Sequence, residues 1–231
     1  MGVKLYTRRD LAKLLSIGIA GTALESSGAI TRSALALRGA MMGVGKMRKT
    51  PWIKFDGASV IILGLITSNI SVEIEAVYDR AYGILCGTFS NSTYYTVGRY
   101  SSYVTATVWG AGRRANLPAS LADGTAKRRY LVNPTSGFDI DGEHSDFSGD
   151  ESTHGSIYFA VGARGRSATS ADNYSTAKVY SCNITNLDGE PMYNLIPVAL
   201  DGGVGALKDT LSGGIFTGIG SGTIQYGEDD A

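Results

Sequence analysis

The pattern of hydrophobic and polar positions changes character at Pro51. Beyond it, short apolar or alternating runs follow one another, separated by Gly, Asn, Asp and Ser. The run "SVEIEAVY" alternates most clearly, with Val72 and Ile74 on one face and Glu73 and Glu75 on the other. Many short strands with turn residues between them predict an antiparallel all-β domain.

The residues before this point have a helical pattern instead. Leu11, Leu14 and Leu15 fall on one stripe of a predicted amphipathic helix, and a second short helix follows it. The pattern therefore predicts two parts: a helical, basic tail over residues 1–50 and a β domain over residues 51–231.

The tail has two interpretations. Arg8 and Arg9 ahead of an apolar run are typical of a twin-arginine export signal. Against a signal, Gly18 and Gly21 interrupt the run, and the A-x-A-like site Ala34–Ala36 lies outside it. We favour a retained anchor helix that attaches the chain to other proteins, and we keep the export signal as the alternative.

Composition and charge narrow the function classes. Lys plus Arg equal Asp plus Glu at 21 each, so no global field favours nucleic acid, and none is predicted as a partner. No run of about 18 apolar residues occurs, so no membrane span is predicted. Cys86 and Cys182 fit no metal-ligand spacing and are interpreted as small buried residues. A bridge between two strands stays the open alternative for them.

The C-terminal third contains several segments in a recognisable order: "LDGE", "LIPVAL", "GALKDTLSGGIF" and "GSGTIQYG". In this order they resemble the closing strands and turns of concanavalin A-like jelly-roll domains of the laminin-G-like kind, which occur in prophage-encoded and gut-bacterial surface proteins. "WIKFDGASVIILGLITSNISVEIEAVY" is similar to the family's first strands, and "GFDIDGEH" to its mid-domain hairpin. The resemblance covers residues 51–231 and implies an antiparallel two-sheet jelly-roll sandwich behind the helical tail.

The resemblance also raises the question of catalysis, because this superfamily includes glycoside hydrolases. Their retaining members carry paired carboxylates on a Glu-x-Asp-x-(x)-Glu strand, which this sequence lacks. Glu73 and Glu75 have no third carboxylate beside them and are interpreted as an outer, solvated face. No nucleophile motif is present either. We therefore predict a protein that is not an enzyme.

An acidic loop is the candidate metal site. "DIDGEHSDFSGDESTH" contains Asp139, Asp141, Glu143 and Asp146, and oxygen ligands at alternating positions can hold Ca²⁺. Laminin-G-like relatives sometimes bind calcium at a loop rim, although the spacing here is not that of an EF-hand. A polar turn is the favoured interpretation, so no cofactor is predicted and calcium is kept as the candidate.

Aromatic and arginine side chains indicate a binding surface. Tyr and Trp stack on sugar faces while their polar tips reach hydroxyl groups, and they also anchor protein interfaces. Alternation along a strand would bury about half of them. The candidate ligand-binding residues are Tyr95, Tyr100, Tyr103, Trp109, Arg164 and Arg166.

Together these observations favour a structural or receptor-recognition protein of a phage or prophage particle. Its tail would attach to other virion or cell-surface proteins. Its jelly roll would project from the particle and bind surface glycan or a protein partner, and a homo-oligomer is compatible with this role. The alternative is an exported bacterial carbohydrate-binding or adhesion protein, and a glycoside hydrolase ranks below both. The expected location is the virion, the extracellular space or the cell surface.

Overall fold

The computed structural model describes most of the predicted β domain. The described residues are 47–67, 69–78, 83–90, 93–100, 102–110, 112–150 and 155–228. The predicted anchor helix, with Leu11, Leu14 and Leu15, lies outside the described residues.

The described residues form 19 β-strands and one short 3₁₀ helix, η1. In chain order these are β1 (Arg48–Lys49), β2 (Trp52–Lys54), β3 (Ser59–Thr67), β4 (Ile70–Tyr78), β5 (Gly83–Ser90), β6 (Thr93–Arg99), β7 (Tyr103–Val108), β8 (Arg114–Pro118), η1 (Ala119–Ala122), β9 (Arg128–Asn133), β10 (Gly137–Ile140), β11 (Glu143–Ser145), β12 (Ser156–Val161), β13 (Arg164–Ser167), β14 (Ser170–Asp172), β15 (Ala177–Asn186), β16 (Pro191–Leu200), β17 (Val204–Asp209), β18 (Ile215–Gly220) and β19 (Gln225–Gly227).

Most strands belong to one continuous antiparallel sheet of 14 strands. Its order is β11-β10-β9-β4-β15-β16-β17-β18-β3-β12-β5-β6-β7-β8. The two end strands approach each other, because Arg114 of β8 exchanges two backbone hydrogen bonds of 2.8 and 2.9 Å with Ser148, just after β11. The sheet therefore nearly closes on itself, which leaves few unpaired edges.

Three short strands fill the place where β15 and β16 diverge. β1 pairs with the second half of β16, whereas β2 pairs with the first half of β15. β19 pairs with the other edge of β2, so Ile53 lies between Val179 and Tyr226. The ends of the domain are thus joined to each other through this region of the sheet.

The β13–β14 hairpin packs on the outer side of β3 and β12. It touches the sheet through one parallel bridge between Gly165 and Thr88. A small second apolar cluster lies at this outer side, and it contains Val60, Ile62, Ala160 and Ala163, with Ala171, Tyr174 and Ile219 packed against them.

The main core lies between the two facing halves of the curled sheet. In β4 every second side chain from Ile70 to Tyr78 is buried, as the alternating sequence predicts. Tyr95 of β6 crosses the core, and its hydroxyl lies 3.2 Å from the Ile70 oxygen and 3.1 Å from the Val132 oxygen on β4 and β9. Because one ring spans both halves, they share a single hydrophobic core.

The prediction of an antiparallel all-β domain is confirmed, and so are several of its turns. Asp141 and Gly142 have φ angles of 53° and 95° and close the hairpin between β10 and β11, as type I′ turns require. The "LDGE" segment joins the paired strands β15 and β16, and the "GALKDTLSGGIF" segment forms the β17–β18 hairpin. The finer assignment to a concanavalin A-like jelly roll stays a prediction.

The turn at Asp56-Gly57 connects strands that do not pair with each other. β2 pairs with β15 and β19, whereas β3 pairs with β12 and β18, so this turn passes between different parts of the sheet. The Asp56 carboxylate accepts hydrogen bonds from Ala58 N at 2.9 Å and Thr223 N at 2.6 Å. Gly222 is required beside it, since a Cβ there would overlap the carboxylate.

Cys86 and Cys182 are free thiols buried in the main core. They come from different halves of the sheet, β5 and β15. Burial raises the pKa of Cys86, with a smaller contribution from Cys182, and burial raises the pKa of Cys182 to about 12. Both therefore pack as small apolar residues.

Candidate binding site at the β6–β7 end of the sheet

Tyr100 and Tyr103 form an exposed aromatic pair at the connection between β6 and β7. The backbone N–H of Tyr100 donates to the Tyr103 oxygen at 2.8 Å, which closes the end of this hairpin. The ring centroids are 5.3 Å apart with an interplanar angle of 32°. The two residues are 40% and 37% exposed. We call them the tyrosine pair.

The strand pattern explains why these two tyrosines face outward. Val104, next to Tyr103 on β7, packs in the core, so Tyr103 points away from it. Tyr103 also pairs with Pro118 at the end of β8. The result is an exposed aromatic surface with polar tips, a chemistry that suits the apolar face and hydroxyl rim of a sugar.

The other two predicted aromatic residues lie inside the protein. Tyr95 is fully buried, and its ring contacts Phe159 edge-on at 6.0 Å. Trp109 is 6% exposed and is covered by the Arg113 guanidinium at 4.7 Å from its ring. Expecting them on the same surface as Tyr100 and Tyr103 was wrong, because the alternation of β6 directs Tyr95 into the core and Trp109 packs there after β7 ends.

Arg164 and Arg166 lie together on β13 and share one carboxylate. Arg164 binds Asp172 through Nε at 2.7 Å and Nη2 at 2.9 Å, and Arg166 Nε binds the same carboxylate at 2.6 Å. Both guanidinium groups lie over the Phe89 ring, at 4.8 and 4.3 Å from its centroid. Burial alone would raise the pKa of Asp172, but the hydrogen bonds from the two arginines outweigh it and lower that pKa.

Arg164 and Arg166, which we call the arginine cluster, lie at the opposite end of β5 from the tyrosine pair. Gly83, at the start of β5, pairs with Arg99 beside the tyrosine pair, whereas Thr88 pairs with Gly165 between the two arginines. Five residues of strand separate these points, about 17 Å at 3.3 Å per residue. The predicted ligand-binding residues therefore do not form one site.

The predicted calcium ligands are distributed along the β10–β11 hairpin and the loop after it. Asp139 accepts the Gly142 N–H at 2.9 Å, which supports the turn. Asp146 lies 3.2 Å from Nε2 of His144.

The remaining two carboxylates of this set do not join them. Asp141 accepts the backbone N–H of Arg129 at 2.8 Å and binds Nη1 of Arg128 at 3.2 Å, and Glu143 is exposed on β11. In the part of the chain that the structure describes, no three His, Cys, Asp or Glu residues are grouped as a metal ion would need. Calcium at this loop stays a prediction without a gathered ligand set.

Glu73 and Glu75 lie on the outer face of β4, as predicted. Arg129 binds one carboxylate oxygen of Glu73 through Nε at 2.8 Å and Nη2 at 2.6 Å. Lys127 lies 3.6 Å from Glu75. These contacts account for both carboxylates as ion pairs on the outer surface of the sheet.

Three polar side chains that were not predicted from the sequence lie on the inner side of the sheet, at the end that carries the tyrosine pair. Arg99 ends β6, and Arg128 and Tyr130 begin β9 in the facing half. The backbone N–H of Arg99 donates to the Tyr78 hydroxyl at 3.2 Å, and that hydroxyl in turn donates to the Gly83 oxygen. The sequence signal was available: both arginines occur in phase with buried side chains of their strands.

No family model and no curated protein matches this chain. Across the residues that the structure describes, no helix is long and apolar enough to cross a membrane.

Proposed function

We propose that the chain is a non-enzymatic recognition protein of a phage or prophage particle, with a concanavalin A-like jelly roll as its β domain. The tyrosine pair binds the face of a surface saccharide or an equivalent surface on a protein partner. Residues 1–50 attach the domain to other virion proteins. The location that follows is the outside of a particle, and a cell surface in the alternative of an exported adhesin.

The exposure of the tyrosine pair is the observation that carries this proposal. Two large aromatic rings are held against each other at the end of a hairpin, although burial would stabilise each by about 2 kcal/mol. A tyrosine has only two rotatable side-chain bonds, so it loses little conformational entropy on binding, which makes it an efficient anchor. Their hydroxyl groups add hydrogen-bonding positions at the rim.

The arrangement of the fold supports the same role. The sheet nearly closes on itself, so Tyr100 and Tyr103 lie at the end of a hairpin in a scaffold with few free edges. Sites built on such strand ends are held more precisely than sites on long loops.

A glycan array tests the recognition part of the proposal. Wild-type protein should bind at least one saccharide class, and the double variant Tyr100→Ala/Tyr103→Ala should lose that signal. Leu211→Ala is the matched control, because Leu211 is another large exposed apolar residue, 51% exposed, in the β17–β18 turn. Binding that is unchanged in the double variant would contradict the proposed site.

Intact-mass measurement on protein from native particles tests the attachment part. A chain that retains Met1 or Gly2 supports the anchor. A mature chain that begins after the segment Ala34–Ala36 would contradict it and favour the exported adhesin.

A further inference from the structure

A cavity opens to solvent at the end of β16, between β1, the β16–β17 turn and β19. Its volume is about 590 Å³, within the range of roughly 300–1,000 Å³ that is typical of small-molecule sites. We call it the β16 cavity. Its lining includes Met47, Arg48, Leu200, Asp201 and Tyr226.

The register of the sheet places the β16 cavity and the tyrosine pair at the same end of the domain. Paired strands run antiparallel, so the end of β16 lies beside the start of β17, and the end of β18 lies beside the start of β3. The end of β12, the start of β5 and the end of β6 continue the same rim. Five strand spacings separate β17 from β6 along this rim, about 24 Å at the usual ~4.8 Å per spacing. A saccharide chain of several units can therefore contact both places.

The β16–β17 turn forms one wall of the cavity. The Gly203 N–H donates to the Leu200 oxygen at 3.2 Å, and Gly202 and Gly203 have φ angles of 95° and 79°, which favour glycine. A Cβ at either glycine would meet no atom within 4 Å, so the backbone is not crowded there. Asp201 and both glycines are exposed, so a ligand can reach the Asp201 carboxylate from solvent.

Another wall holds a guanidinium group over an aromatic ring. The Arg48 guanidinium lies 5.1 Å from the centroid of the Tyr226 ring and forms an ion pair with Glu228. Hydrogen bonds with Tyr226 and Glu228 raise the pKa of Arg48. A guanidinium has five N–H donors, so these two partners leave donors for a ligand. The Arg48 side chain is 54% exposed, which keeps those donors accessible.

Apolar atoms complete the lining. Tyr226 is half-buried and packs against the main core, which holds its ring in place. Met47 and Leu200 are half-buried beside it in the same lining, and Ala199 is buried. An aromatic ring next to aliphatic side chains suits the C–H face of a sugar ring.

The charges of the cavity select the ligand class. The Asp201 carboxylate only accepts hydrogen bonds and the Arg48 guanidinium only donates them, so together they match hydroxyl groups, which do both. Asp201 and Glu228 supply two negative charges against the single positive charge of Arg48, which disfavours a carboxylate or phosphate ligand. An ammonium ligand would be repelled by Arg48 in turn. A neutral ligand with several hydroxyl groups fits both side chains.

We propose that the β16 cavity binds a neutral sugar unit, with its hydroxyl groups at Asp201 and Arg48 and its C–H face against Tyr226. This inference rests on the proposed function, because the tyrosine pair contacts another unit of the same surface glycan. It names the ligand class: a neutral saccharide of several units that contacts one end of the domain at two places.

The experiment follows backbone amide signals of the full-length protein in ¹H–¹⁵N spectra during titration with small sugars. The probes are the methyl glycosides of glucose, galactose and mannose, each compared with its uronide, in which a carboxylate replaces the hydroxymethyl group. At least one neutral glycoside should shift the signals of Gly202 and Gly203. Its uronide should bind about tenfold more weakly, because the charge of Asp201 opposes it.

Two matched aspartate variants test the site. Asp201→Ala should weaken binding of the neutral glycoside about tenfold, the loss expected for a hydrogen bond to a charged group. Asp188→Ala is the control, because Asp188 is an exposed aspartate that also precedes a glycine, Gly189, in the β15–β16 turn at the other end of the sheet. It should bind like the wild type.

The outcomes separate this inference from the proposed function. Absence of shifts at Gly202 and Gly203 with all three neutral glycosides would overturn the sugar site in the cavity. Equal binding of a glycoside and its uronide, or binding that is unchanged in Asp201→Ala, would overturn it too. If the glycan-array signal is then still lost in the tyrosine-pair double variant, the proposed function stands on that pair alone. Shifts at the cavity together with an array signal unchanged in the double variant would support the cavity and contradict the tyrosine pair.

Discussion

Tyr95 and Tyr130 are buried tyrosines that differ in whether their hydroxyl groups have a partner. The Tyr95 hydroxyl lies within 3.2 Å of two backbone oxygens, whereas the Tyr130 hydroxyl has no hydrogen-bond partner. Replacing each by Phe removes one oxygen and keeps the ring in place. The two substitutions should therefore change the free energy of unfolding in different directions.

The magnitudes follow from the cost of burying a polar group. A typical intramolecular hydrogen bond contributes about 1 kcal/mol, so Tyr95→Phe should lower the free energy of unfolding by about that amount. An unpaired buried hydroxyl costs about 1–3 kcal/mol, so Tyr130→Phe should leave stability unchanged or raise it by about 1 kcal/mol. In a domain of this size, 1 kcal/mol corresponds to about 2–4 °C in Tm.

Urea unfolding followed by tryptophan fluorescence, together with thermal melting, measures both variants under the same conditions. The slope of each urea transition must match the wild type, so that the midpoints report stability alone. If Tyr130→Phe destabilises the protein as much as Tyr95→Phe, then the Tyr130 hydroxyl has a protein partner. That result would refute the stability argument.

Three further predictions concern the scaffold. Gly222→Ala should destabilise the domain by about 1–3 kcal/mol in urea unfolding, because its Cβ would overlap the Asp56 carboxylate, and an unchanged midpoint would contradict this. The pKa values of Asp56 and Asp172 are lowered in the folded protein. The stability that these carboxylates contribute is therefore complete above the unfolded pKa of 3.8 and is lost as the pH falls through the lower folded pKa values. Asp172→Asn should accordingly reduce the dependence of the urea midpoint on acid pH. Cys86 and Cys182 should resist alkylation at pH 8 in the native protein and react in urea, as intact mass would show.

The elements that could be predicted from the sequence are those specified by neighbouring residues. The alternation of β4 follows from its apolar and polar residues, and the β10–β11 turn follows from Asp141 and Gly142. The closure of the sheet could not be predicted, because the pairing of Arg114 with Ser148 does not change the pattern of apolar and polar residues in either segment. The insertion of β1 and β2 between β15 and β16 is non-local in the same way.

The candidate site was predictable only in part. The aromatic segment pointed to Tyr100 and Tyr103, but which of its rings face outward depends on strand register and on where each strand ends. Arg99 and Arg128 were not predicted, although each lies in alternation with the inward-facing residues of its strand. A charged residue at a position where the pattern demands an apolar one was the informative signal.

Calorimetric titration of the saccharide class found on the glycan array tests the central claim most directly. The account predicts that Tyr100→Ala and Tyr103→Ala each weaken the affinity about tenfold, that Tyr103→Phe retains most of it because the ring remains, and that Leu211→Ala matches the wild type. Equal dissociation constants for the wild type and both alanine variants would contradict the account and move the recognition surface elsewhere on the domain.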